Sequence, residues 1–314
     1  MTTTAQSPSG TKPTTLAFIG CGNMGSAILS GLLTATRTQP GKITSFIVNT
    51  KTVASATKLR TQYAAEASRV TITHGENVPT MQQADVVLLA CKPFLAAGIL
   101  SAPGVREALE GKLVVSIMAG MTPGEILGCV YGDGDENRRE GERGESSGSG
   151  KEEGQGKRPV IMRAMPNVAA RLGESMTIIE VPEGMDEGSE MVGLVKWVFG
   201  VLGKTKVLGK DLFDVGTMLA GASMAVMTVS LEGVLDGCVA EGIRRAEALE
   251  MAAQAMVGMA ALLRDGEHPA LLRESMSSPR GCTIQGVLAV ERAGVRGSFA
   301  DAMIEGTRHL KKRA

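Results

Sequence analysis

A short apolar run, Thr15-Leu16-Ala17-Phe18-Ile19, leads directly into Gly20-Cys21-Gly22-Asn23-Met24-Gly25, and residues 26–33 then read as a helix. No other segment limits the possible folds as strongly, because a strand feeding a helix through a glycine turn is the opening of a βαβ unit. In such a turn Gly20 permits the chain reversal, Gly22 lets the backbone reach a pyrophosphate, and Gly25 allows the helix to pack closely on the strand. Asn23 and Met24, between the glycines, belong to the same candidate nucleotide site. A bare GxGxxG is weak evidence. Its position after a strand and before a helix favours nucleotide binding over a purely structural turn.

Further strands are predicted over residues 43–48, 70–73, 85–90 and 113–117, with a helical stretch over 51–67. Their apolar runs are continuous rather than alternating, as expected for a parallel sheet covered on both faces. The expected fold class is therefore α/β, with a Rossmann-type, doubly wound N-terminal domain. Residues 159–163 and 176–179 read as two more strands, Ser189 as the cap of a helix over 190–202, and 205–207 as a short extended piece. Strand character ends there. Helices are predicted over 215–240, 244–264, 268–276, 283–293 and 299–310, so an all-α C-terminal domain begins near Lys210. The helices are rich in Ala, Gly and Met, which suggests that they intertwine with a partner subunit. Between residues 132 and 158 the composition shifts to Gly, Glu, Arg, Ser and Lys with no large apolar side chain, which predicts a disordered insertion within the sheet domain. The expected domains are a disordered N-terminus at 1–14, a dinucleotide-binding domain at 15–209 and a helical substrate and dimerisation domain at 210–314.

Lys plus Arg and Asp plus Glu both number 33, so no overall field points to nucleic acid or to an anionic membrane. A small-molecule partner is expected. Aromatic residues make up only 3% of the chain, which leaves little for stacking sugars or bases. The five cysteines are scattered and only three histidines occur, so neither a disulfide framework nor a metal site is predicted. Residues 215–231 carry no charge, but they fall just short of spanning length and contain Gly, Ser and Thr; a buried helix is the expectation, and no membrane. The first fifteen residues have neither a secretory apolar core nor an Arg-rich transit pattern, so a cytoplasmic location is expected.

At the end of the second strand, where an NAD site places an acidic residue against the ribose 2′-hydroxyl, the chain has Asn49-Thr50-Lys51. Lys51 and the donors beside it suit a 2′-phosphate, so NADP(H) is the expected cofactor, with NADH still possible. The alternative is that Lys51 is an ordinary solvated lysine at a helix start. Ala90-Cys91-Lys92-Pro93 closes the fourth strand and Ser116-Ile117-Met118-Ala119-Gly120 the fifth, both at the carboxyl edge of the sheet, where ligands of open α/β folds bind. Lys92 is read as positioning the cofactor or its loop rather than as a catalytic base, and Cys91 as a small buried residue. In the helical domain, Ser277-Ser278-Pro279-Arg280-Gly281-Cys282-Thr283 offers hydroxyls and free amides at a helix start. Such a turn holds a small carboxylate, or else Ser-Ser-Pro merely caps the helix.

These residues together resemble the pyrroline-5-carboxylate reductase family, the last enzymes of proline biosynthesis. The likeness runs from about residue 16 to 308. It rests on residues 19–25, on Asn77 thirteen residues before Ala90-Cys91-Lys92-Pro93, on Val115-Ser116 with Ala119-Gly120, on Arg163-Ala164-Met165-Pro166-Asn167, and on the C-terminal signature over 277–301. The resemblance implies an NADPH-dependent oxidoreductase acting on CH–NH groups, with hydride transfer to the C=N carbon of 1-pyrroline-5-carboxylate to give L-proline. It implies a substrate carboxylate on the backbone amides of Ser278, Gly281, Cys282 and Thr283, with Thr283 as the catalytic residue that hydrogen-bonds the ring nitrogen. It further implies self-association through the helical domain, as a dimer or larger oligomer. The family's S-P-G-G-T-T turn appears here with Arg280 in place of a glycine, where a positive φ would be strained, although the charge could add to carboxylate binding. The G-S-G-P-A-Y segment is Gly221-Ala222-Ser223-Met224-Ala225-Val226, and Val168-Ala169 replace T-P after Asn167. These changes leave two alternatives open: a reductase of another cyclic imine, or an NADP(H)-binding homologue without catalysis. The β-hydroxyacid dehydrogenases share the two-domain plan but need a lysine on the long helix, and residues 221–233 contain none.

Overall fold

Eight strands form one sheet in the order β3-β2-β1-β4-β5-β6-β7-β8 in the computed structural model, which describes residues 14–38, 42–132 and 157–311. The strands are β1 (Thr15–Ile19), β2 (Ser45–Thr50), β3 (Val70–His74), β4 (Val86–Leu89), β5 (Leu113–Ser116), β6 (Val160–Met165), β7 (Ser175–Glu180) and β8 (Gly203–Val207). The disordered segments expected at 1–14 and 132–158 fall almost wholly outside the described residues. Along the sheet the pairings are parallel except β6 with β7, which is antiparallel and departs from the all-parallel expectation. The cause is the short connection at 166–174, which holds only a 3-10 turn, Val168–Leu172, and has no room for a helical crossover of about 10–12 residues or more.

The continuous apolar runs are explained by burial on both faces. Leu16 and Phe18 point into a cluster with Ile28, Leu32 and Phe199, whereas Ala17 and Ile19 point into another with Met81, Val105 and Ile126. Each large apolar side chain fully buried this way contributes about 1.5–3 kcal/mol. The helix after the glycine turn, Asn23–Thr38, covers the first face together with Glu190–Gly200, whose cap is Ser189, accepting from the Val192 amide at 3.4 Å. Asn77–Gln83, Val105–Leu109 and Pro123–Tyr131 cover the second face. These helices are too short to show a hydrophobic period, although Thr122 and Glu125 form a legible capping box before the last of them.

The chain divides into two compact units, one ending at Gly221 and the other running from Ala222 to His309. Helix Lys210–Thr217 packs on the sheet, with Gly216 against Leu208 and Ile178, and passes into a π turn, Met218–Ala222. The second unit holds the helices Ser223–Ala240, Arg245–Arg264, Pro269–Ser275 and Cys282–Arg292, and most of Val295–Lys311. Residues 215–231 are not the buried helix expected from their composition. Of these, only Gly216 and Met218 are buried, while Met227 and Val229 are 51% and 72% exposed. Val234, Met256 and Val257 are exposed on the same two long helices. A single copy of the unit has too few helices to cover so much apolar surface, and such a surface marks an interaction site.

Candidate active site

Gly20 has φ +87°, and a Cβ there would lie 2.9 Å from the Ala90 oxygen and from the Cys91 nitrogen and Cα. The position therefore needs glycine twice over, for its backbone angle and for the close approach of the β4 exit. The Gly20 amide also donates to the Asn49 oxygen at 2.8 Å, which ties the ends of β1, β2 and β4 together. At Gly22 the contrast is complete: a Cβ would meet nothing within 4 Å, so the space over the helix start is open for a phosphate. A Cβ on Gly25 would meet its neighbours at ordinary distances of 3.4–3.6 Å, so the close packing expected of the third glycine is not sterically forced. These features fit a dinucleotide's pyrophosphate. Burial pushes the Cys21 thiol up from its usual range, against the smaller opposing effect of its contact with Ser26, so Cys21 packs the turn as a neutral side chain rather than as a nucleophile.

At the end of β2 no acidic side chain is present. Asn49, 1% exposed, donates from Nδ2 to Asn77 Oδ1 at 2.6 Å and accepts from the Thr73 hydroxyl at 3.0 Å and the Glu76 amide at 3.1 Å. Asn49 thus fixes Asn77, at the start of its helix, against the β2 edge. Thr50 is buried and donates to the Thr52 oxygen at 3.1 Å, and Lys51 beside it is exposed. Lys92 is also exposed and precedes the Pro93–Leu95 turn. Cys91 is half-buried, with its thiol pushed up by burial and its Sγ 3.5 Å from the Met118 sulfur, which suits a packing residue rather than a nucleophile. Ala119 is exposed and Gly120 adopts φ +73° just past β5. A cavity of about 860 Å³ is lined by Gly22 and Asn23 of the glycine turn, by the first helix from Ser26 to Ala35, and by Lys58 and Arg171; it takes in the glycine turn but not Lys51, Asn77 or Lys92.

One cluster is not foreseen by the sequence reading. Arg163, 3% exposed in the middle of β6, pairs through Nε with Glu180 of β7, reaches Asp214 at 3.8 Å and lies over the Phe213 ring at 4.0 Å from its centroid. This joins two strands to helix Lys210–Thr217. Nearby, Asn167 Nδ2 donates at 2.7 Å to the Ala220 carbonyl in the π turn, where the regular helical pairing changes. A charge inside the apolar strand Val-Ile-Met-Arg-Ala-Met is the signal that could have revealed the cluster, since such a group needs a buried partner.

In the helical unit the turn from Ser278 to Gly281 closes with the Gly281 amide donating to the Ser278 oxygen at 3.0 Å. Pro279 precedes Arg280, whose φ of +62° makes it the one left-handed residue other than glycine among those described. The strain expected at Arg280 is real and costs about 1 kcal/mol. Ser-Ser-Pro does not cap the next helix. Its N-cap is Gly281, with no side-chain hydrogen bond, while the Ser277 hydroxyl donates back to the Arg273 oxygen at 2.8 Å and closes the preceding helix. Ser278 Oγ sits over Gly281 so closely that a Cβ there would collide with it. Cys282 and Thr283 therefore begin a helix that no side chain caps, the arrangement that accepts an anion. Thr283 lines a cavity of about 500 Å³ within this unit.

A sheet of this order with a glycine turn at its first strand, followed by a helical region, is the plan of a dinucleotide-dependent oxidoreductase. Residues 15–120 match the family model described as NADP oxidoreductase, coenzyme F420-dependent, and residues 210–313 match the one described as pyrroline-5-carboxylate reductase dimerisation. The chain is 39% identical over 308 residues to a pyrroline-5-carboxylate reductase of Lophium arboricola, covering 93% of this chain and 91% of that one. It is 35% identical to the enzyme of that name from Neurospora crassa, with the same coverages, and 30% identical to that of Escherichia coli, covering 92% and 94%. The chain belongs to the pyrroline-5-carboxylate reductase family. The fold agrees with solved structures of 1-pyrroline-5-carboxylate reductase from Streptococcus pyogenes, at a TM-score of 0.75 and 22% identity over 96% of this chain and 99% of that one, and of the Plasmodium falciparum enzyme with NADP bound, at 0.73 and 20% over 96% and 98%.

Family membership accounts for the uncovered helices. Lys210–Ala240 and Arg245–Arg264 are long and apolar enough by length and composition to cross a membrane, yet both lie within the residues matched as a dimerisation domain. Their exposed Val and Met side chains are the surface of a domain that self-associates.

Proposed function

We propose that the chain reduces 1-pyrroline-5-carboxylate to L-proline with NADPH, through hydride transfer to the C=N carbon. The observation that carries this reading is the uncapped helix start at Cys282 and Thr283: it supplies amides for a carboxylate and a hydroxyl for a ring nitrogen, on a chain that also holds a glycine turn for a dinucleotide. When bound, NADPH supplies the hydride. Gly20, Gly22, Asn23, Met24 and Gly25 are assigned to the pyrophosphate, Asn49, Thr50, Lys51 and Asn77 to the adenosine end, and Ala90, Lys92, Pro93, Ala119 and Gly120 to the carboxyl edge of the sheet. Ser278, Cys282 and Thr283 hold the carboxylate, while Gly281, whose own amide closes the turn on the Ser278 oxygen, shapes the loop that presents them.

An imine requires only a proton or a donor at nitrogen, so positioning supplies most of the rate. The Thr283 hydroxyl is too weak an acid at neutral pH to act as a general acid. It orients and polarises the imine, which enters protonated or takes its proton from water. Thr283→Ala is expected to lower kcat/KM about 10- to 100-fold, the loss of one hydrogen bond to a charged or polarised group, with NADPH affinity retained. Unchanged turnover would remove Thr283 from the mechanism.

Lys51, and the absence of an acid on the β2 edge, support NADPH over NADH as the preferred donor. The Michaelis constant for NADPH is expected to be lower by about tenfold or more, as for one well-placed charge pair. A lower value for NADH would overturn this preference. We place the enzyme in the cytoplasm as a dimer or larger homo-oligomer built through the helical domain.

A further inference from the structure

We propose that Arg273 is a specificity-determining residue that pairs with the carboxylate of the imine substrate. This rests on the reductase reading above and adds a charged partner to the amides of the Ser278–Thr283 turn. Arg273 is unusual among the arginines of the helical unit. Arg244, Arg245, Arg296 and Arg308 each pair with a carboxylate, and Arg264, Arg280 and Arg292 are exposed to water. Arg273 is half-buried and forms no ion pair among the described residues. A guanidinium partly withdrawn from water without a counter-charge is costly, and the cost is recovered when an anion arrives.

The surroundings define what that anion is attached to. Arg273 lines the cavity of about 500 Å³ together with Cys282 and Thr283 at its polar end and Val287, Val290 and Phe299 on its apolar walls. Glu291 also borders this cavity, but Arg296 already engages it. The Ser277 hydroxyl bond to the Arg273 oxygen, 2.8 Å long, ties the helix carrying Arg273 to the turn that begins the next one. Arg273 thus lines the same cavity as Cys282 and Thr283 at the positive end of helix Cys282–Arg292, which brings two like charges to one cavity. A carboxylate between them reverses the sign of that interaction. The fork of a guanidinium matches the two oxygens of a carboxylate, and the apolar walls suit a small saturated ring rather than a sugar or a nucleotide.

The test compares kcat/KM for 1-pyrroline-5-carboxylate with that for 1-pyrroline, which lacks the carboxylate, in the full-length wild type, Arg273→Met and Arg273→Lys. The ratio of the two values is expected to fall about 10- to 100-fold in Arg273→Met and much less in Arg273→Lys, where the charge is kept. An unchanged ratio in Arg273→Met, or an equal loss in both variants, would overturn the assignment. A direct measurement separates this from the reductase reading: titration calorimetry of L-proline into each NADP+-saturated protein should show binding weakened at least about tenfold in Arg273→Met. A wild type that reduces neither imine yet loses proline binding on Arg273→Met would sink the reductase reading and keep the carboxylate site. Proline binding unaffected by the substitution would sink the site itself.

Discussion

Gly20→Ala is expected to weaken NADPH binding by at least about 100-fold and to destabilise the sheet domain by about 2–5 kcal/mol. The new Cβ would lie 2.9 Å from three backbone atoms at the β4 exit, and the residue would have to hold φ +87°, a region that L side chains avoid. Neither conflict can be relieved by rotating a side chain. The backbone must move, and the segment displaced is Ala90-Cys91-Lys92-Pro93 on the cofactor edge. Gly22→Ala provides the internal contrast, because its Cβ meets nothing within 4 Å. That variant should unfold at the wild-type temperature, within about 0.5 kcal/mol, yet lose nucleotide affinity, since the methyl occupies the space left for the pyrophosphate. Thermal unfolding and NADPH fluorescence titration of both variants check the pair. Equal stability losses in the two would contradict the assignment of separate roles to these glycines.

Arg163→Ala is expected to cost about 3–5 kcal/mol, because it leaves Glu180 buried without its counter-charge. The loss should lower the melting temperature by about 2–4 °C for each kcal/mol. Replacing both partners, as in Arg163→Met with Glu180→Met, should recover most of it, since a buried ion pair exchanged for apolar groups of similar volume is often neutral. The double variant still gives up the 3.8 Å contact with Asp214 and the guanidinium stacked on Phe213, which help hold helix Lys210–Thr217 to the sheet. Chemical denaturation of the single and double variants measures both steps. A single variant as stable as the wild type would show that the cluster contributes nothing to folding.

Much of the sheet was legible because its strands are buried on both faces: Leu16 and Phe18 serve one core, Ala17 and Ile19 the other, and the result is an unbroken apolar run. The glycine turn was legible for a different reason, since backbone angle and close approach leave only one residue type at Gly20. The antiparallel β7 was not. Its direction depends on the length of the 166–174 connection, which local propensity does not reveal. The exposure of residues 215–231 is not legible, because an apolar helix has the same composition whether its own chain or a partner covers it. At the site, Asn49 and Asn77 were assigned to the cofactor, but their mutual hydrogen bond, which fixes one against the other, is a tertiary fact. Arg273 carries no signal in the sequence, because whether an arginine in a short helix is solvated or lines a cavity is decided by its tertiary neighbours.

The reaction proposed for this chain is hydride transfer from NADPH to the C=N bond of 1-pyrroline-5-carboxylate. The most direct measurement follows the loss of NADPH absorbance by the purified full-length protein with that imine as sole acceptor, with proline quantified in the same reaction. Oxidation of NADPH matched by an equal amount of L-proline is the predicted result. Tight NADPH binding with no oxidation and no proline would contradict it.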